Sequence, residues 1–282
     1  MNRVWLEKLI RESLHEDVGY GDLTTESLVT EKEQGRAILI AKEKGVIAGL
    51  PVAEEVFRQL DPDVTFTLLI QEGDEVKPGT RLAQVHGTVR GLLTGERLAL
   101  NFLQRLSGIA TITQQVVQQL EGLDCQVLDT RKTTPGLRFL EKYAVKVGGG
   151  TNHRFGLSHG VLIKDNHVAI AGGIREAVYQ VRRKLGDRVQ VEVEADTLEQ
   201  VREALEQDVD AILLDNMDPE TLCKAVSLIG DQVWTEASGG ITPETARKVA
   251  ESGVKGISLG WLTHSTPALD ISLDMMTKEE AS

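Results

Sequence analysis

The sequence predicts an α/β protein in two parts, an α+β segment up to about residue 108 followed by a series of parallel βα units. Two observations carry that expectation. After residue 108, short apolar runs alternate with helical stretches at the spacing of strand–helix–strand units. Nearly every one of those runs ends in charged, hydroxyl or glycine residues, the pattern of strands whose C-terminal ends build a site.

Residues 5–16 carry a helical apolar rhythm in Trp5, Leu6, Leu9 and Ile10. The runs 36–41, 45–49, 64–70 and 81–85 read as strands between turn residues. Pro51 suits the first turn of a helix over 51–60. Thr94 suits the cap of a helix over 94–108, with Ala99, Phe102, Leu103 and Leu106 on its core face and Arg97, Asn101 and Gln104 on another. The stretch QEGDEVKPGTRLAQVHG, residues 71–87, resembles the half-motif of biotinyl and lipoyl carrier domains. The following TVRGLLTGER lacks their lysine hairpin, so a similarly shaped β structure without a carrier role is expected.

Beyond residue 108 the expected strands are 125–130, 159–165, 189–194, 211–216, 233–238 and 256–261, with helices such as 174–185, 197–207 and 243–253 between them. A doubly wound sheet and a barrel both fit this count. In VQVEVE, alternation puts Val191 and Val193 on one face and Glu192 and Glu194 on the other. If the valines pack on helices the glutamates point inward. An unpaired carboxylate is costly there, so a cation or metal is expected beside them.

No run approaches the roughly 18 apolar residues of a membrane span. The opening MNRVWLEKLIRESLHED is charged throughout and does not read as a signal peptide. Cys125 and Cys223 form no CxxC motif and are expected to be core cysteines of a cytoplasmic protein. A formal net charge of −12 argues against broad nucleic-acid binding.

Against that acidic background, Arg131 to Lys164 holds seven Lys or Arg (131, 132, 138, 142, 146, 154, 164) and one acid, Glu141, a local sum of 7 − 1 = +6. The rest of the chain then carries −12 − 6 = −18. A basic island of this kind suits an anionic ligand, since Arg gives bidentate contacts to carboxylate or phosphate and Lys a compact charge. Arg138, Lys142 and Lys146 also read as the solvated face of a helix over 137–147, whereas Thr130, Arg131, Lys132 and Lys164 end strands.

The SGGITPE and SLG stretches end the last two strands. Gly239 and Gly240 let backbone amides approach an anion, Thr242 and Pro243 are expected to open a helix whose N-terminus favours phosphate, and Ser238, Ser258 and Gly260 flank them. Glu194 and Asp215 are candidates for Mg²⁺ or sugar hydroxyls, with an ion pair to Lys132 or Lys164 as the plainer reading. His153, beside Arg154, is a candidate donor to a ligand carboxylate; His15, His86 and His264 read as structural. HRFGLSH and DNH lack carboxylate partners at helical metal spacing, so zinc is not expected.

Taken together, GERLALNFLQRLSGIAT, DTRKTTPGLRFLEKYAVKVGGGTNHRFGL, IKDNHV, VEVE, LLDN, EASGGI and ISLG resemble the quinolinate phosphoribosyltransferase family, and EDVGYGDLTT at 16–25 is similar too. The resemblance implies a type II phosphoribosyltransferase-like fold, an N-terminal α+β sandwich over 1–108 joined by 266–282 and an incomplete α/β barrel over 109–265. In PALDISLDM, the alternating Leu269, Ile271 and Leu273 suit a strand returning to the first part. It implies transfer of phosphoribosyl from phosphoribosyl pyrophosphate to quinolinate with loss of CO2, giving nicotinate mononucleotide and pyrophosphate in de novo NAD biosynthesis. It implies a homodimer or a hexamer of dimers, with Arg97 reaching the partner's barrel and joining Arg131, His153 and Arg154 on the quinolinate carboxylates. Lys132, Lys164, Ser238, Gly239, Gly240 and Gly260 would serve phosphates, and Glu194 and Asp215 the ribose hydroxyls and Mg²⁺. Other readings are a related enzyme for a different acidic ring, a phosphosugar isomerase or aldolase barrel, and a carrier module.

Overall fold

The structure, a computed structural model, describes residues 2–276. Its elements begin with helix α1 (Arg3–Val18), α2 (Leu23–Leu28), strand β1 (Gln34–Ala41), β2 (Gly45–Val46), α3 (Leu50–Leu60), β3 (Thr65–Leu68), β4 (Glu75–Val76), β5 (Arg81–Thr88) and α4 (Val89–Gln119). Then come β6 (Gln126–Leu128), α5 (Arg138–Val147), β7 (Val161–Ile163), α6 (Asp165–Ala171), α7 (Ile174–Leu185), β8 (Val191–Ala195), α8 (Leu198–Leu205) and β9 (Ala211–Asp215). The chain closes with α9 (Pro219–Ile229), β10 (Trp234–Ser238), α10 (Ala246–Ala250), β11 (Gly256–Ser258), α11 (Trp261–His264) and β12 (Ile271–Met275).

Two compact units emerge. The first holds the residues through Thr111, Phe139–Gly148 and the stretch from Thr266. Its sheet runs β12-β1-β5-β3 with antiparallel β1–β12, β1–β5 and β3–β5 pairs, so Leu269, Ile271 and Leu273 are buried where the returning strand packs. Residues 277–282 of that segment lie outside the described residues. Phe57, Leu39, Ile47, Leu82 and Leu103 are fully buried between the sheet and its helices. The carrier-like stretch supplies β4, β5 and Glu72, whose carboxylate accepts the N–H groups of Gly49 (3.0 Å) and Leu50 (2.6 Å). It thereby caps α3, whose Gly49 N-cap has no side chain to do so.

Two expectations about this unit are corrected. The helix expected from Thr94 starts at Val89, where Thr88 Oγ1 accepts the Gly91 N–H at 3.2 Å. Thr94 sits inside it and donates to Asp22 Oδ2 at 3.1 Å. The helix also runs on through Gly108, where a Cβ would stand 2.1 Å from the Pro267 carbonyl oxygen; glycine is needed for close passage, not for a break. Secondly, the helix placed with the barrel, α5, belongs from Phe139 onward to the first unit. It buries Leu140, Ala144 and Val145, and Lys142 is only 3% exposed, so of the three basic residues expected on a solvated face only Lys146 is fully on it. Glu141, fully buried, accepts from Arg105 Nη2 at 2.6 Å and Nε at 3.0 Å. Arg105→Met leaves that carboxylate without its guanidinium and is expected to lower unfolding free energy by about 3 kcal/mol, read as a shift of the urea midpoint.

The second unit is an incomplete α/β barrel. Its six strands are ordered β6-β11-β10-β9-β8-β7, every pair parallel, and Thr151 adds a parallel bridge to Leu128 on the outer side of β6. Among the described residues no pair closes β7 back onto that end. Val191, Val193, Ile212, Leu214 and Ile257 are fully buried. The helices have clear local causes. Thr197 and Gln200 form a capping box on α8, and Asp218 accepts the N–H groups of Glu220 and Thr221 ahead of Pro219 on α9.

Two corrections apply here as well. The helix expected over 243–253 is only Ala246–Ala250, because residues 242–245 form a turn in which Thr242 donates its N–H to Thr245 Oγ1 at 3.0 Å. The Thr242 carbonyl nevertheless accepts the Ala246 N–H at 3.0 Å, so the chain enters α10 by way of this turn. The cysteines are not core residues: Cys223 is exposed on α9, whose inward side is Leu222, Ala225 and Ile229, and Cys125 is half-buried. Among the described residues, no helix is long and apolar enough to cross a membrane.

Candidate active site

The C-terminal ends of the barrel strands open into one cavity of about 490 Å³. Thr130, Arg131 and Lys132 follow β6, Lys164 follows β7, Asp215 ends β9, Ser238, Gly239 and Gly240 close β10, and Ser258 and Gly260 close β11. His153 and Arg154 complete the expected residues that line it; Arg97 and Glu194 do not. Four of the seven cations of the basic island, Arg131, Lys132, Arg154 and Lys164, therefore share one mouth. Burial and the like charge of Arg131 lower the Arg154 pKa, a mark of how closely the cations are gathered. Arg138 serves the site indirectly. Its guanidinium donates to the carbonyls of Arg131 (3.3 Å) and Phe155 (3.2 Å) and to Thr133 Oγ1 (2.9 Å), tying the two loops that carry the cations. Lys146 stays exposed on α5.

The turn after β10 is shaped for close approach. Gly239 and Gly240 have φ of +94° and +60°. A Cβ on Gly239 would fall 2.2 Å from Asn216 Oδ1, and Asn216 itself adopts φ 53° while donating to Asp215 Oδ2 at 2.5 Å. Gly239→Ala is therefore expected to displace Asn216 and Asp215 together and to cut kcat/KM at least about tenfold, with a smaller loss of melting temperature. Across the mouth, Gly260 admits Lys132: a Cβ there would lie 2.7 Å from Lys132 Cδ and 3.1 Å from His264 Nε2. His264 lines the cavity with Trp261 and is not merely structural as expected. It stands one helical turn after Gly260, a spacing that the lone histidine did not advertise.

The inward-facing glutamates do find partners. Glu194 pairs with Lys164 Nζ, the plainer of its two readings. Glu192 Oε2 lies 3.2 Å from His153 Nε2, and Glu236 Oε2 lies 3.4 Å from the same nitrogen. Sequence reasoning missed Glu236, although Trp234, Glu236 and Ser238 alternate as Glu192 and Glu194 do. Asp129, one of the charged residues that mark the strand ends, is fully buried and accepts from the His153 N–H (2.8 Å) and Asn152 Nδ2 (2.7 Å).

His153 lines the cavity, and its ring is also engaged inside the chain. Burial works against a charged ring, while the hydrogen bonds and charges of Glu192 and Glu236 favour one, and the contact at the other ring nitrogen decides between them. A doubly protonated ring needs Nδ1 as a donor, and Nδ1 instead accepts the Arg154 N–H at 2.8 Å. The ring as placed carries its proton on Nε2, between the carboxylates. Both nitrogens thus have partners inside the chain.

Hard oxygen donors suit Mg²⁺, which takes one or two carboxylates plus phosphate oxygens. Asp215 fits, since it lines the cavity; Glu194 is committed to Lys164.

Strand-end cations and a glycine turn around one mouth define a barrel protein that holds phosphorylated, anionic small molecules. Comparison with known proteins narrows the class. Models of the quinolinate phosphoribosyl transferase N-terminal and C-terminal domains match residues 22–107 and 109–274. The chain belongs to that family. It is 46% identical over 281 residues to a probable nicotinate-nucleotide pyrophosphorylase [carboxylating] of Bacillus subtilis, covering 100% of this chain and 97% of the relative. It is 40% identical to mitochondrial quinolinate phosphoribosyltransferase [decarboxylating] 2 of Nicotiana glauca, covering 97% and 83%. The crystal structure of NadC from Streptococcus pyogenes superposes with a TM-score of 0.94 at 41% identity, covering 98% of this chain and 99% of that one.

Proposed function

We propose that this chain transfers phosphoribosyl from phosphoribosyl pyrophosphate to quinolinate with decarboxylation, the step of NAD biosynthesis that yields nicotinate mononucleotide, pyrophosphate and CO2. The observation that carries the assignment of residues is the convergence of Arg131, Lys132, Arg154 and Lys164 on one cavity beside the Gly239–Gly240 turn. Two polyanionic reactants must be held together there, and the cations offset the repulsion between them.

In this reading the pyridine nitrogen attacks the anomeric carbon as the bond to pyrophosphate breaks. Positive charge develops on the sugar and negative charge on the leaving group. Lys132, Lys164 and the amides of Gly239 and Gly240 face the leaving phosphates, placed in advance of the charge they stabilise. Arg131 and Arg154 orient the quinolinate carboxylates. Glu194 holds Lys164 in place. The nitrogen is now cationic, so the bond to the adjacent carboxylate breaks readily; its electron pair stays on the ring carbon, CO2 leaves, and a proton replaces it. Asp215, at the end of its strand in the cavity, would hold Mg²⁺, whose charge would offset that of the departing pyrophosphate. In this reading the working form is a homodimer in which Arg97 of each chain enters the partner's barrel.

Labelled CO2 release from quinolinate tests this reading. Release is expected only with phosphoribosyl pyrophosphate and Mg²⁺ together and matched mole for mole by pyrophosphate. Absence of CO2, or equal pyrophosphate release with nicotinate as the acceptor, would refute it.

A further inference from the structure

A second cavity of about 480 Å³ opens at the other ends of the strands, beside Val161, Val191, Ala211 and Trp234. His153, Arg154 and Glu236 line both cavities, so these side chains form a floor between them. Three ligand atoms of His153, Glu192 and Glu236 lie within 4.8 Å of one another, which has the look of a metal cluster. The hydrogen bonds say otherwise. A metal-bound imidazole ordinarily donates its other N–H, whereas here Nδ1 is an acceptor from Arg154 and the proton sits on Nε2.

Glu236 is only 2% exposed and its Oε1 has no hydrogen-bond partner, so the His153 ring is the contact that offsets its burial. A carboxylate held at that cost fixes the ring from one side, and Glu192 fixes it from another. Asp129 grips the main chain at His153, and Arg154 Nη1 donates to the Gly160 carbonyl at 3.0 Å. The link from the carboxylates to Arg154 runs through the two nitrogens of one ring.

We infer that Glu192 and Glu236 are positioning residues for the pyridine dicarboxylate: they hold His153 as its Nε2–H tautomer, and its Nδ1 in turn sets the backbone of Arg154 and the aim of its guanidinium. This rests on the assignment of Arg154 to the quinolinate carboxylates. It separates recognition of the ring, which depends on the floor, from recognition of phosphates, which depends on Lys132 and the glycine turn.

The test is steady-state kinetics with each substrate varied. Glu236→Ala is expected to raise the KM for quinolinate by about tenfold or more while the KM for phosphoribosyl pyrophosphate stays within about twofold and kcat within about threefold. Glu236→Gln is expected to recover at least half of the lost affinity, because its amide oxygen still accepts the Nε2–H. A parallel rise in both KM values, or a fall in kcat alone, overturns the inference. Arg154→Ala separates the two levels. An unchanged quinolinate KM there overturns the residue assignment and this inference with it; a raised KM there with a wild-type value in Glu236→Ala overturns the inference alone. Should Glu236→Ala not fold, ¹⁵N spectra of the imidazoles of the wild-type protein decide, with the His153 signal identified by its loss in His153→Asn. A neutral ring protonated at Nε2 at neutral pH supports the inference, and a proton on Nδ1 overturns it.

Discussion

Lys164→Ala is expected to lower kcat/KM at least about a hundredfold. An ammonium about 4 Å from an anion contributes roughly 4 kcal/mol at an effective dielectric near 20, before desolvation, and about 1.4 kcal/mol is a factor of ten. Lys164 ends a barrel strand, lines the shared cavity and pairs with Glu194, whose side chain is 8% exposed. Its loss therefore has two consequences that can be told apart. Turnover falls because an anion contact is gone, and stability falls because a buried carboxylate has lost its cation. Adding Glu194→Gln to Lys164→Ala is expected to restore the melting temperature without restoring turnover. Wild-type kinetics for Lys164→Ala would remove it from the site.

The proposed sharing of Arg97 between two subunits carries the second large effect. Arg97 is on α4, in the first unit, and does not line the barrel cavity of its own chain. Arg97→Ala and Lys164→Ala homodimers are both expected to be nearly inactive. In a mixed dimer, the Arg97→Ala chain keeps its Lys164 and receives the intact Arg97 of the other chain, so one site of the two is native. After random exchange half of the dimers are mixed, and about a quarter of wild-type activity is expected. Mass spectrometry confirms the exchange; no recovery after confirmed mixing would show that Arg97 acts within its own chain or not at all.

Much of the barrel and its mouth was legible because strand periodicity and strand ends are local properties. Val191 and Val193 inward to the helices, Glu192 and Glu194 inward to the barrel, followed from alternation alone, and so did the need for cations beside them. Glu236 obeys the same alternation and was readable in principle. Other features depend on distant chain. The glycine and threonines within 89–119 look like helix breakers until Pro267 and Asp22 are seen beside Gly108 and Thr94. Likewise α5 reads as a basic surface helix until Arg105 is found against Glu141. The role of His153 depended on which neighbour each ring nitrogen meets, and no spacing encodes that.

Gathering Arg131, Lys132, Arg154 and Lys164 leaves the folded chain under self-repulsion that any multivalent anion relieves. Orthophosphate, sulfate and the pyrophosphate product are then linked to folding as ligands of the native state, each raising thermal stability while competing with substrate. A phosphate buffer would make this protein sturdier and slower at once.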